Sequence, residues 1–149
     1  TQWISGAITP DDKRVTFHMK EPAFHLFDTA PSPVAPFSHA VECDDWIFVT
    51  GQMPTDPNDG DAAIPEDVVA QTHRVMENLK LVLAELALSL RNVVQVRIYL
   101  TRFEEDYDTV NQVYASYFPV DRRPARTCVG VTGLARGAKV EIDMIARRF

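Results

Sequence analysis

The chain has 149 residues, 46% of them hydrophobic, with 15 basic and 21 acidic side chains and a net charge of −6. That length makes one domain, able to bury about 69% of the surface its unfolded form exposes, so a core can form without disulfide or metal staples. No apolar run approaches the roughly 18 residues of a membrane span, no charged-then-apolar leader is visible, and the negative balance opposes phosphate backbones, so the expectation is a cytoplasmic protein with no membrane or nucleic-acid partner.

Residues 1–29 read as an amino-terminal extension with room for one extra strand, where Val15, Phe17 and Met19 alternate with Thr16, His18 and Lys20. Residues 30–149 carry the main domain. Prolines at 31, 33 and 36 exclude helix from Thr29 to Pro36 and make it an extended lead-in. Two apolar runs, 37–43 and 46–52, joined by Asp44-Asp45, read as a hairpin with Trp46, Phe48 and Thr50 on one face and Ile47 and Val49 on the other. Residues 55–60 (TDPNDG) are dense in turn formers.

A long amphipathic helix is predicted from about Pro65 to Leu88, with proline, Glu66 and Asp67 in its first turn and Val68, Val75, Leu79, Val82, Leu83 and Leu86 on one stripe. Residues 93–100 (VVQVRIYL) are a β-branched strand. A second helix is expected over about Glu105 to Phe118, followed by strands near 126–132 and 139–146. The order is α+β: a mixed sheet with two helices packed on one face, strands 46–52 and 93–100 parallel, and the terminal pairs free to be antiparallel. The other face, where Ile145 and Tyr99 mix with Gln95, Arg97, Glu141 and Asp143, suggests subunit association.

Cys43 and Cys128 form no CxxC pair, the four histidines show neither HxH nor HxxxH spacing, and no GxGxxG or GxxxxGK[ST] string is present. No metal site, disulfide framework or cofactor is implied. Charge is uneven: residues 121–149 carry +4 and the first 120 carry −10.

Three strings, Val49-Thr50-Gly51-Gln52, Val110-Asn111-Gln112-Val113-Tyr114 and Arg122-Arg123-Pro124-Ala125-Arg126-Thr127-Cys128-Val129, together with Val140-Glu141-Ile142-Asp143 and the helix residues Gln71, Asn78 and Leu79, resemble the RidA family (reactive intermediate deaminase, also called YjgF or L-PSP) over about Ala30 to Arg147. The resemblance implies a homotrimer of chorismate-mutase-like subunits with clefts between them. It also implies cofactor-free hydrolysis of enamine or imine acids, such as 2-aminoacrylate and 2-imino acids, to 2-keto acids and ammonia. By motif position, Arg126 corresponds to the carboxylate-binding arginine and Glu141 to the acid near the reacting nitrogen and water. Phe37, Thr50, Gly51, Asn111 and Cys128 line the cleft.

The side chains suit that chemistry. A guanidinium fork matches a carboxylate through two parallel bonds, and a carboxyl group whose pKa is raised by burial can relay a proton. Imine hydrolysis is quick in water, so positioning and one relay suffice. Each residue also has a plainer reading. Arg126 can be a structural ion-pair partner, with Glu141 itself as a candidate mate, Glu141 a solvated strand carboxylate, and Cys128 a small apolar filler. Asn111 is unfavourable in mid-helix, which favours a purpose.

The chain departs from the family pattern in four places. Ala35-Pro36-Phe37 stands where many members have Gly-Pro-Tyr, no glycine follows the first helix at Ala87-Leu88, the 117–123 segment is short and adds Arg122-Arg123, which either recognise a second acidic group or solvate a loop, and the extension has no counterpart. The alternative function is a non-catalytic trimeric protein that binds small carboxylates. A ribonuclease role is disfavoured by the acidic charge and the missing histidine pair.

Overall fold

A computed structural model describes residues 20–149. The alternation in the second run of the hairpin becomes a strand with Ile47 and Val49 buried and Trp46 and Phe48 exposed. In chain order the elements are β1 (Ala23–His25), β2 (Ala40–Cys43), β3 (Trp46–Gln52), α1 (Val68–Glu85), β4 (Val93–Leu100), α2 (Phe103–Ala115), β5 (Ala125–Gly130) and β6 (Val140–Arg147). The strand expected over residues 15–19 lies outside the described residues. The described part of the extension supplies a different strand, β1, which pairs antiparallel with β2.

Several boundaries shift for local reasons. β2 starts at Ala40 rather than residue 37, because the Phe37 N–H turns back onto the Ala35 carbonyl (2.9 Å). The His39 ring then holds the lead-in: Nδ1 accepts from the Phe27 N–H, and Nε2 lies 2.9 Å from the Pro31 carbonyl oxygen. The first helix begins after Asp67, whose carboxylate caps the Ala70 N–H at 2.9 Å. Pro65 therefore stands outside the helix, its carbonyl accepting from Gln71 Nε2. The second helix starts earlier than expected, at Phe103, and ends at Ala115, with Glu104, Glu105 and Asp106 complementing its dipole.

The exit of α1 is a Schellman turn. Ala87 N–H bonds to the Ala84 carbonyl and Leu88 N–H to that of Leu83, which forces Ala87 to φ 55°.

The six strands run β1-β2-β3-β6-β4-β5. β3 and β4 share a direction, as expected of strands joined through a helix, yet they are not neighbours: β6 lies between them, antiparallel to both. The two closing strands are also separated, β5 pairing parallel with β4. Burial explains the choice. Val140, Ile142, Met144 and Ala146 of β6 are all 1% exposed or less, so this strand takes the central slot under the helices, while the largely exposed β5 takes the edge.

Both helices cover one sheet face. Val75, Met76, Leu79, Val82 and Leu83 of α1, with Val110 and Tyr114 of α2, close over Val96, Ile98, Leu100, Ile142 and Met144. Each such side chain contributes roughly 1.5–3 kcal/mol by leaving water. Buried amides fix the loops to this core: Asn78 Nδ2 donates to the carbonyls of Met53 (3.0 Å) and Thr55 (2.9 Å), and Gln71 Oε1 accepts from the Lys139 N–H (2.8 Å).

Among the described residues, no helix or loop covers the opposite face. A row of paired residues crosses it from Phe24 through Val41 and Phe48 to Ile145, and Phe24 and Phe48 are 71% and 47% exposed. Beside this row lies a polar cluster, in which Arg97 Nε (2.8 Å) and the Tyr99 hydroxyl (3.0 Å) both donate to Asp143.

Candidate functional site

The residues singled out in the sequence fall into two groups on opposite sides of the sheet. Arg126 sits opposite Val96 in the β4–β5 register, and Glu141 sits opposite Tyr99 in the β4–β6 register. Val96 and Tyr99 are three residues apart on one strand, so their partners point to opposite faces. An Arg126–Glu141 ion pair within one chain is thereby excluded, and that structural reading of Arg126 is overturned.

The first group lines an open cleft of about 490 Å³ between α2 and the lead into β5, walled by Asn111, Tyr114, Arg123, Pro124 and Arg126. Arg126 Nη1 donates to Asn111 Oδ1 at 2.6 Å, and its guanidinium lies over the Tyr114 ring, 5.1 Å from the centroid. Asn111 thus has the purpose its unfavourable mid-helix position suggested: a neutral acceptor orients the guanidinium without cancelling its charge. The ring face adds a cation–π attraction. Among the described residues, neither Arg126 nor Arg123 has a carboxylate within salt-bridge distance.

Burial pushes the Tyr114 hydroxyl up to about 12, opposed by the guanidiniums of Arg126 and Arg123. Cys128 follows Arg126 on the same face and packs against the core. Burial raises its thiol pKa and Arg126 only partly offsets this, so it stays a neutral thiol, as the filler reading expects.

The second group gathers where β3 meets β6. A methyl group on Gly51 would overlap the Glu141 carboxylate, so glycine is what lets that side chain lie against the β3 backbone. Burial raises the Glu141 pKa, and the negative charge of Asp143 raises it further. A carboxyl group so placed holds its proton to higher pH than a free glutamate, which suits it to proton exchange.

Thr50 is committed to structure: its hydroxyl donates to the Ser38 carbonyl at 2.6 Å and pins the lead-in. Phe37 is half-buried beside Gly51, in a small hollow that also includes Val34 and Met53.

Sequence reasoning missed Tyr114 and took Arg123 only as one of the pair Arg122-Arg123. In the sequence Tyr114 is only the last residue of the string 110–114, and its spacing of three from Asn111 is the signal that puts both on one helical face. Arg123 could not be separated from Arg122 by sequence. The structure divides them: Arg123 enters the cleft, while Arg122 lies over a separate hollow near Tyr117 and Phe118 and donates to the Arg91 carbonyl.

No group of three or more candidate metal ligands occurs among the described residues, and no described helix is long and apolar enough to cross a membrane.

Comparison with known proteins adds a consistent set of relatives. The family model described as Endoribonuclease L-PSP matches residues 27–148. The 3-aminoacrylate deaminase RutC of Acinetobacter baylyi is 40% identical over 121 residues, 81% of this chain and 94% of that protein. The 2-iminobutanoate/2-iminopropanoate deaminase of Salmonella typhimurium is 32% identical over 123 residues, covering 81% and 94%. Escherichia coli TdcF with bound serine superposes with a TM-score of 0.77 at 30% identity, covering 85% of this chain and 99% of that one.

Proposed function

This chain belongs to the RidA/YjgF/L-PSP family, and from that membership we propose that it hydrolyses small enamine or imine acids of the 2-aminoacrylate or 2-imino acid type to 2-keto acids and ammonia. The observation that carries this reading is Arg126, an oriented guanidinium with no acidic mate among the described residues, offered to an open cleft. Its fork takes the substrate carboxylate through two charge-assisted bonds and sets the adjacent C=N carbon in a fixed place.

Glu141 supplies the proton relay. Water adds to the imine carbon as its proton passes to the carboxylate. The protonated carboxyl returns that proton to nitrogen, giving the carbinolamine; the carboxylate then takes the hydroxyl proton and passes it to the same nitrogen, and the C–N bond breaks so that ammonia leaves as the C=O forms. A pKa raised by burial suits a group that must both take up and return a proton. Gly51 keeps the Glu141 side chain against β3, and Phe37 beside it offers an apolar wall without a hydroxyl.

Because Arg126 and Glu141 face opposite sides of one sheet, a complete site requires Arg126 to meet Glu141 of the partner subunit. The uncovered apolar row on the sheet supports assembly through that face. A chorismate-mutase-like homotrimer with clefts between subunits meets this requirement, and the protein works without a cofactor in the cytoplasm. The binding-only alternative, a trimer of the same fold, is favoured by Phe37, which puts an apolar ring where many family members have a tyrosine hydroxyl.

The test generates 2-iminobutanoate with an amino-acid oxidase and follows keto-acid formation, alongside light scattering. Acceleration by wild type, lost in Arg126→Ala and Glu141→Gln, together with a mass near three times 16.8 kDa, is the expected result. No acceleration, with keto-acid binding retained, would favour the binding-only protein.

A further inference from the structure

The Arg126 cleft holds a second cation that the reaction as written does not use. Its walls carry Arg123 and Arg126 and no acidic residue, a local charge of +2 in a chain of net −6. Burying one monocarboxylate there would neutralise only half of that charge, and a cleft of one sign concentrates ligands of the opposite sign.

Arg123 is held in place by its backbone. It precedes Pro124, whose ring excludes the helical region for the residue before it, and it is extended, at φ −74° and ψ 127°. The two arginines are three residues apart along an extended segment, so their Cα atoms are separated by about 10 Å. Arg123 lies before the strand and Arg126 within it, and both line the one cleft, so that separation suits two anionic groups on one small molecule. The cleft volume of about 490 Å³ lies within the range of small-molecule sites. Both guanidiniums also act on the Tyr114 hydroxyl, which marks them as neighbours across the same space.

We propose that Arg123 is a specificity-determining residue that binds a second carboxylate, so that the preferred ligands are 2-imino and 2-keto dicarboxylic acids. The inference rests on the assignment of Arg126 to the first carboxylate. A charge-assisted hydrogen bond of this kind is worth about 10–100-fold in discrimination.

Two readouts separate this inference from the deaminase reading. The first compares kcat/KM for 2-iminoglutarate and 2-iminobutanoate, each generated by an oxidase. The second measures Kd for 2-oxoglutarate and 2-oxobutanoate by calorimetry, independent of turnover. Wild type should prefer the diacid at least 10-fold in both. Arg123→Gln should bring the preference close to one, Arg123→Lys should restore part of it, and Arg122→Gln should leave it as in wild type.

Equal binding of diacid and monoacid by wild type, or a preference that survives Arg123→Gln, overturns the inference. Calorimetric preference with no turnover of either imine supports the role of Arg123 and overturns the deaminase reading instead.

Discussion

The two faces of the sheet solve opposite problems. On the helix side, Val96, Ile98, Leu100, Ile142 and Met144 are essentially sealed, and the buried amides of Gln71 and Asn78 bond to backbone carbonyls and N–H groups. On the other side, Phe24, Phe48 and Ile145 share the surface with Glu141, Asp143 and Arg97. The first face holds the chain together, whereas the second leaves apolar area uncovered among the described residues, beside a carboxyl whose pKa burial raises. Chemistry-bearing residues follow the same division: Arg126 stands at the rim of the sealed side and Glu141 on the open one.

The comparison can be broken most forcefully at the core. Leu79→Ala on α1 should cost about 2–5 kcal/mol, because a fully buried side chain leaves a cavity there, and urea unfolding would read it. A loss below 1 kcal/mol would mean the helix face is less tightly packed than its burial indicates. Next comes Arg126→Ala, expected to lower kcat/KM by about 100-fold, roughly 2.7 kcal/mol of transition-state binding, without moving the melting temperature. An equal fall in stability would return Arg126 to a structural role.

Gly51→Ala sharpens the open-face half. The added methyl meets the far end of a flexible side chain, so the fold should survive while Glu141 is pushed aside, and kcat should fall about 10-fold or more. Unchanged kcat would remove Glu141 from the relay.

Glu141→Gln carries a pH signature. The folded-state pKa is raised, so the native chain binds more protons than the unfolded one, and the carboxylate costs stability as pH rises through the ordinary glutamate range and above. The variant should therefore melt above wild type at pH 7 and at the same temperature at pH 3.5, while losing activity at both. A melting difference independent of pH would contradict the burial of this group. The smallest effect belongs to the α1 exit, where Ala87→Gly should stabilise by about 1 kcal/mol, since glycine adopts φ 55° without the clash of a Cβ.

Much of the fold was legible because burial enforces periodicity. Val75, Leu79, Val82 and Leu83 recur with the helical repeat, and Val140, Ile142 and Met144 alternate with Glu141 and Asp143, since each element must keep one face dry. Helix starts were less legible. Asp67 acts as a cap and Pro65 as an outside anchor, a distinction that depends on where the loop is tied down by Gln71.

Site residues were readable as types: an arginine next to a strand, a carboxylate among apolar alternators, an asparagine in a helix. Their partnership was not, because register and face depend on strand order, and strand order depends on which strand buries best in the centre.

What the sequence determined by itself is therefore the α+β class, the β4 segment to the residue and the α1 segment to within three residues at each end, and the candidate residues Arg126, Glu141, Gly51 and Asn111. The tertiary structure alone decided that β6 enters between β3 and β4, that Arg123 and not Arg122 reaches the cleft, and that Arg126 and Glu141 are divided by the sheet. The physical reason is that alternation along a strand is a local property, whereas pairing is settled by competition among all strands for the buried positions under the two helices.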